Sequence, residues 1–146
     1  MTKEKARAKW VEALRSGKYQ QGRGRLKNEK DQFCCLGVAT DLFKRNLGKW
    51  DNKVHPQFIA KDELVSVSYL PTPIRDVLGL GDKEGNFRWE DVSQALKKKI
   101  WKETKGTEGV FGNLAELNDA GVSFKTIADL IETEPEGLFE TKKDNQ

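Results

Sequence analysis

Apolar residues recur every three or four positions in several segments of the chain, a spacing that places them on one face of an α-helix. The first such segment carries Ala6, Trp10 and Leu14 on one face. Thr2 is placed to cap its start and Gly17 to end it. The sequence therefore predicts an amphipathic helix over these residues.

The longest nearly apolar run extends from Phe33 to Phe43 and contains the chain's two cysteines, Cys34 and Cys35. At the helical repeat this run is apolar on almost every side, which is typical of a helix enclosed by the rest of a domain. We therefore expect a central buried helix near 33–46.

The middle of the chain has a two-residue period instead. Val65, Val67 and Tyr69 alternate with serines, which predicts a strand with one solvated face. The segment from Val54 to Ile59 is expected to pair with this strand through the turn between them.

Helical spacing returns in the second half of the chain, over 74–78, 92–100, 114–120 and 124–131. Together these segments predict an α+β fold with about five helices around a small antiparallel sheet. We expect residues 1–140 to form a single compact domain and the polar tail 141–146 to be frayed.

Length and composition narrow the class of protein. The 146 residues are enough for one domain. No apolar stretch approaches the roughly 18 residues of a membrane span, and no apolar segment follows the basic start, so we expect neither a membrane segment nor a secretory leader. Two adjacent cysteines make no disulfide framework, which favours a reducing cytoplasm.

Charge is distributed unevenly along the chain. Residues 1–53 carry 14 Lys and Arg against 6 Asp and Glu, whereas residues 54–146 carry 12 against 17. A basic half suggests an anionic partner for that half. The alternative is that the two halves attract each other within the folded protein.

Four segments resemble a family of small uncharacterised proteins encoded by tailed bacteriophages. They are residues 9–22 (KWVEALRSGKYQQG), 33–38 (FCCLGV), 69–71 (YLP) and 114–132, which begins LAELNDAGVSF. The resemblance implies a phage accessory protein made inside the host cell. It brings no activity and no catalytic residues with it.

The loop 18–25 is the main candidate for ligand binding. Its Gly22 and Gly24 would let backbone N–H groups approach an anion, and arginine side chains can grip phosphate with two hydrogen bonds. Tyr19 could stack on a base or a sugar. The alternative is a solvated hairpin in which the glycines only allow the turn and bind no ligand. We predict a phosphate-bearing or nucleotide ligand held by Lys18, Tyr19, Gln21, Arg23 and Arg25.

The leading hypothesis is therefore a non-enzymatic phage protein that binds an anionic small molecule in the host cytoplasm and could act as a counter-defence sponge. It has no predicted cofactor, metal site or catalytic residue. The first alternative is a module that binds nucleic acid or a host protein through the basic half, an interaction whose affinity would fall steeply with salt.

A second alternative is a cysteine-dependent hydrolase. Cys34 is expected at a helix N-terminus, where the pKa of a thiol falls, and the chain's one histidine, His55, would have to act as its base. The competing interpretation is that both cysteines are small core residues. Two cysteines and one histidine do not make a standard tetrahedral zinc set.

The second half of the chain contains two further features with a possible role in binding. The pair of helices at 114–131 resembles the start of a helix-turn-helix motif, but acidic residues and Pro135 stand where a basic recognition helix should follow. We therefore expect a helical hairpin packed on the core. The lysine run 97–99 is typical of the solvated face of a helix.

Overall fold

The computed structural model describes residues 1–106 and 108–141. Its helices and strands, in chain order, are α1 Lys3–Arg15, β1 Gln20–Gln21, β2 Gln32–Phe33, α2 Cys35–Phe43, β3 Gly48–Asp51, β4 Gln57–Ala60, β5 Val65–Ser66, α3 Thr72–Leu78, α4 Gln94–Glu103, α5 Leu114–Asp119 and α6 Phe124–Glu132. A 3₁₀ turn, Trp89–Asp91, precedes α4.

The α+β class predicted from the sequence is confirmed. Within the described residues, six α-helices accompany a three-stranded antiparallel sheet in the order β3-β4-β5, and β1 and β2 form a separate parallel pair. One hydrophobic core joins the helices, and it includes the fully buried side chains of Trp10, Leu36, Ile74, Leu117 and Ile127.

The predicted central helix exists and is buried, but it is shorter than expected. Helix α2 begins at Cys35 and ends at Phe43, because Phe33 belongs to β2 and Cys34 caps the helix. The Cys34 sulfur accepts a hydrogen bond from the Gly37 N–H at 3.3 Å. A Cβ at Gly37 would overlap the carbonyl oxygen of Leu26, so α2 lies directly on the loop before it.

The two glycines of the loop 18–25 suggested a tight loop or a short hairpin, and the hairpin is not formed. Gln20 and Gln21 of β1 pair with Gln32 and Phe33 of β2 in parallel, which requires the chain between them to cross over rather than turn back. The hydrogen bond from Gly22 N–H to the Phe33 carbonyl (2.7 Å) extends this pairing.

The predicted antiparallel pairing in the middle of the chain is confirmed between β4 and β5. The strand prediction was too long at its second end, because only Val65 and Ser66 pair as β5 and the chain then leaves the sheet. The Val67 carbonyl instead accepts a hydrogen bond from Leu26 N–H at 2.8 Å. Strand β3 was missed, because Gly48–Asp51 is too short and polar to show a two-residue period.

Helix α1 joins the two oppositely charged halves of the chain. Lys3, Arg7 and Arg15 form ion pairs with carboxylates of α6 and of the segment that follows it: Glu140, Glu134, and both Asp129 and Glu132, respectively. Part of the excess positive charge of residues 1–53 is therefore neutralised by carboxylates of the same chain.

Helices α5 and α6 form the expected helical hairpin on the core. Ser123 caps α6, which packs against α1 and against α4. Within the described residues no helix follows α6, and the buried Pro135 lies in the turn after it. The geometry of a DNA-reading helix-turn-helix is therefore absent from this part of the chain.

None of the helices in residues 1–106 and 108–141 is long and apolar enough to cross a membrane. Of the tail 141–146 that was predicted to be frayed, residues 142–146 lie outside the described residues.

Candidate functional site

Three of the segments that carry the family resemblance meet at one buried side chain, Asn118 of α5. Its amide oxygen accepts hydrogen bonds from the Gln21 side chain (2.9 Å) and the Cys35 backbone N–H (3.2 Å), and its amide nitrogen donates to the Gly22 carbonyl (2.8 Å). Asn118 is fully buried. It thus fixes the loop 18–25 and the start of α2 to the helical hairpin.

The backbone donors expected to cradle an anion are already used. Gly24 N–H donates to a carboxylate oxygen of Asp119 at 2.8 Å, and Gly22 N–H donates to Phe33. An internal carboxylate thus occupies the position that a phosphate was expected to take on the loop. Any anion bound here must be held by side chains.

Two of the five predicted site residues are committed to internal hydrogen bonds. The Gln21 amide nitrogen donates to Asn118 and to the Val122 carbonyl (2.8 Å). The Tyr19 hydroxyl donates to a carboxylate oxygen of Asp41 at 2.8 Å. Burial and the hydrogen bond with Asp41 raise the pKa of Tyr19 well above its usual range.

Asp41 is a half-buried carboxylate that joins three elements. Besides Tyr19, it accepts hydrogen bonds from the Lys44 ammonium (2.7 Å) and the Trp50 indole N–H (2.9 Å). Burial alone would raise its pKa, but these three donors outweigh burial and hold the pKa below its usual value. Edge-to-face contacts between Tyr19, Phe33 and Trp50 pack this polar centre against the sheet.

The three predicted cationic residues, Lys18, Arg23 and Arg25, are exposed and have different neighbours. Lys18 has no carboxylate partner among the described residues, and neither has Arg23. A guanidinium nitrogen of Arg23 lies over Gly121, and Arg25 pairs with Glu29 at 3.1 Å. Arg23 and Arg25 line none of the clefts described next. Of the three cations, only Lys18 lines the clefts described below.

Lys18 and Tyr19 do share a hollow, which we term the α1–α2 cleft. It has a volume of about 320 Å³ and is lined by Lys9, Glu12 and Ser16 of α1 and its cap, by Lys18 and Tyr19, and by apolar Ala13 and Leu42. Lys9 is also exposed and free of carboxylate partners within the described chain. A larger groove of about 710 Å³ adjoins it along α1 and α6 and shares Glu12, Ser16 and Lys18.

A second hollow, which we term the acidic cleft, opens beside Asp119, at the end of α5, and has a volume of about 540 Å³. Glu84, Glu116 and Asp119 line it, together with the aromatic side chains of Tyr69 and Phe111. Cys34 lines it as well, although only 5% of that residue is exposed.

Neither cysteine has the properties of a nucleophile. Burial raises the pKa of Cys34 to about 11 and that of Cys35 well above its usual value, so the thiolate is scarce at neutral pH. His55, the expected base, is not among the residues that line the acidic cleft beside Cys34. Both thiols match the interpretation as small core residues. Within the described residues, no three acidic, cysteine or histidine side chains are grouped to hold a metal ion.

Sequence reasoning missed the two side chains that organise this region, Asp41 and Asn118. Asp41 lies in the segment predicted as the central buried helix, and Asn118 lies in the segment predicted as a helical hairpin. A polar residue on the buried side of a predicted helix is the signal that could have found them, because such a residue needs partners from other elements.

A family model described as "Domain of unknown function (DUF8296)" matches residues 2–135 of the chain. No curated protein and no solved structure gives a match.

Proposed function

The chain belongs to this family of unknown function, DUF8296, and from that premise we propose that it is a non-enzymatic protein that binds a phosphate-bearing small molecule or nucleotide in the α1–α2 cleft. The observation that carries the proposal is the presence of two exposed lysines without carboxylate partners, Lys9 and Lys18, on one cleft with Tyr19.

Charge supports an anionic ligand at this position. The ammonium groups of Lys9 and Lys18 face one carboxylate in the lining, that of Glu12. Arg7 and Arg15, in the adjoining groove, are already neutralised by carboxylates of the C-terminal half. Of these four cations, Lys9 and Lys18 are therefore the two that remain available to pair with an anionic ligand.

The rest of the lining suits the organic part of a nucleotide. The ring of Tyr19 is fixed by its hydrogen bond to Asp41, so a stacked base or sugar would find it already oriented. Leu42 and Ala13 supply apolar contact, and the Ser16 hydroxyl provides a polar group at the end of α1. A volume of about 320 Å³ is at the small end for a ligand site, and the groove along α1 and α6 adjoins it, so we expect a ligand larger than a mononucleotide to extend into that groove.

The resemblance to proteins of tailed bacteriophages supplies a context for such binding. We propose an accessory protein that works in the host cytoplasm and sequesters a host nucleotide or signalling molecule, as a counter-defence sponge would. This role requires tight binding and no turnover, and buried thiols with raised pKa values accord with it.

The test is differential scanning fluorimetry with linear and cyclic nucleotides and inorganic phosphate on the wild type and two double variants. Lys9→Ala/Lys18→Ala removes the cleft cations, and Arg23→Ala/Arg25→Ala removes the same charge from the loop. We expect a ligand-dependent rise in melting temperature that the first variant loses and the second keeps.

Two results would contradict the proposal. No shift with any ligand at saturating concentration removes small-molecule binding altogether. If Arg23→Ala/Arg25→Ala loses the melting shift and Lys9→Ala/Lys18→Ala keeps it, the ligand binds at the loop 18–25 and not in the α1–α2 cleft.

A further inference from the structure

The α1–α2 cleft and the groove along α1 and α6 lie on two sides of one ridge. Glu12 and Ser16 line both hollows, and because they are four residues apart they lie one above the other on the same side of α1. Ala13 lines only the cleft, whereas Ala8 and Val11 line only the groove. A ligand that starts in the cleft and passes over this ridge therefore enters the groove.

Lys18 is the cation at the junction of the two hollows. It lines both of them, it is exposed, and it has no carboxylate partner among residues 1–106 and 108–141. A mononucleotide carries its phosphate at one end, whereas a dinucleotide carries phosphate between two nucleosides. A cation between two hollows matches the second arrangement, because a phosphate on Lys18 leaves one hollow for each nucleoside.

The charges of the groove suit an uncharged nucleoside better than a second phosphate. Besides Lys18, its cations are Arg7 and Arg15, and both are held by carboxylates: Arg7 by Glu134 at 3.3 Å and Arg15 by Glu132. Each of these two ion pairs uses one carboxylate oxygen. The second oxygen of each carboxylate can accept a hydrogen bond from an amino or hydroxyl group of a nucleoside.

The groove also provides apolar contact for a base. Val11 of α1 and Ile131 of α6 contribute to its lining and belong to the hydrophobic core, so their positions are fixed by packing. Ala8 is exposed and its short side chain leaves space above them. The groove, at about 710 Å³, is larger than the cleft and lies within the usual range for a small-molecule site.

Glu12 is placed to bind a sugar. It lines both hollows, and its carboxylate has no cation or hydrogen-bond partner in the described part of the chain. A carboxylate repels phosphate but accepts hydrogen bonds from the hydroxyl groups of a ribose. Its position on the ridge therefore suits the part of a dinucleotide that lies next to the phosphate.

We propose that the ligand of the α1–α2 cleft is a dinucleotide, with one nucleoside in the cleft beside Tyr19, the bridging phosphate on Lys18 and the second nucleoside in the groove along α1 and α6. This inference rests on the proposed function, because it extends the same site. A linear phosphodiester, a ring with two phosphodiesters and a polyphosphate bridge share this chemistry, and the test separates them.

Isothermal titration calorimetry at constant ionic strength tests the inference. AMP and GMP are compared with the linear dinucleotide, the cyclic dinucleotide and the dinucleoside tetraphosphate of the same base. We expect one of these dinucleotides to bind at least about tenfold more tightly than its mononucleotide, because the groove adds contacts that a mononucleotide cannot reach. The dinucleotide that binds most tightly identifies the bridge.

Two alanine-to-leucine variants locate the second nucleoside. Ala8→Leu narrows the groove without changing charge, and Ala8 does not line the cleft. We expect this variant to weaken binding of the dinucleotide several-fold and to leave binding of the mononucleotide unchanged. Ala95→Leu is the matched control, since Ala95 is exposed on α4 and lines neither hollow. Circular dichroism melting shows that each variant is folded.

The inference is overturned if no dinucleotide binds more tightly than its mononucleotide, or if Ala8→Leu binds the dinucleotide as tightly as Ala95→Leu does. In either case, mononucleotide binding that Lys9→Ala/Lys18→Ala abolishes leaves the proposed function standing. If neither mononucleotides nor dinucleotides bind, the proposed function fails and this inference fails with it.

Discussion

At the scale of single residues, Gly37 and Asn118 position the segments that form the candidate site. Gly37 lets α2 rest on the Leu26 carbonyl, and Asn118 ties that arrangement to α5. The sequence identifies Gly37 as part of a buried helix. It does not reveal that the absent side chain is needed, because the atoms it would meet lie eleven positions earlier in the chain.

Gly37→Ala tests this close approach. Alanine favours a helix over glycine by about 1 kcal/mol, so local propensity alone predicts a more stable protein. The overlap with Leu26 must instead push α2 away from the loop, and we expect the free energy of unfolding in urea to fall by about 1–3 kcal/mol or more. Gly112→Ala is the control, since a Cβ there meets only the Glu116 side chain at 3.6 Å. Equal stability of Gly37→Ala and wild type would contradict the packing described.

At the scale of elements, the helices could be predicted better than the strands. Helices α1, α2 and α6 have strong apolar patterns, and each was found within a few residues of its predicted bounds. The strands have two to four residues and are held by partners far along the chain, so periodicity could not show β1, β2 or β3. For the loop 18–25 the two glycines suggested a tight loop or a short hairpin, and the parallel pairing of β1 with β2 was not foreseen, because glycines indicate a change of chain direction but not the strand that will pair.

The hydrogen bonds of Asp41 make the free energy of unfolding depend on pH. Asp41 holds Tyr19, α2 and β3 together, and its pKa in the folded protein lies below that of the unfolded chain, about 3.9. Its stabilising contribution is therefore complete above that value and is lost as the pH falls through the folded pKa.

We expect the wild type to lose more free energy of unfolding between pH 5 and pH 3 than Asp41→Asn does, because asparagine does not titrate. Urea denaturation at the two pH values measures this difference. Asp76→Asn is the control and should lose as much as the wild type, since the exposed Asp76 side chain has no hydrogen-bond or ion-pair partner among the described residues. If Asp41→Asn shows the same acid sensitivity as the wild type, the hydrogen bonds to Asp41 do not stabilise its charged form.

At the scale of the whole molecule, the basic and acidic halves of the chain form ion pairs with each other. The numbers of charged residues in each half could not reveal these pairs. The sequence left two interpretations open, an external anionic partner or attraction between the halves. The ion pairs of α1 with the C-terminal half support the second for Lys3, Arg7 and Arg15. Lys9 and Lys18 have no such carboxylate partner in the described chain, and the proposed ligand site rests on them.

Arg15→Gln tests how far this attraction stabilises the fold. Arg15 binds both Asp129 and Glu132, and Lys99 also pairs with Asp129 at 3.1 Å. Because these groups are solvated, we expect a decrease of only a few degrees in melting temperature at low salt. The decrease should vanish near 1 M sodium chloride, where screening is nearly complete. A decrease that persists at high salt would mean that Arg15 acts through packing rather than charge.

The binding site could be predicted from the sequence only in part, because folding brings together residues from distant segments. Lys18 and Tyr19 were identified together with Gln21, Arg23 and Arg25 because all five are neighbours in the chain. Folding turns Gln21 inward to Asn118, sends Arg23 to Gly121, and brings Lys9 of α1 to the other two. The partner of a loop cation on a distant helix is set by packing, which no local pattern encodes.

Nuclear magnetic resonance mapping tests the central claim most directly. Backbone amide signals of the ¹⁵N-labelled protein would be followed while the nucleotide that gives the largest melting shift is added. We predict saturable shifts concentrated at Lys9, Ser16, Lys18, Tyr19 and Leu42. Shifts centred on Gly22 to Arg25, or none at any nucleotide concentration, would contradict the assignment of the ligand to the cleft between α1 and α2.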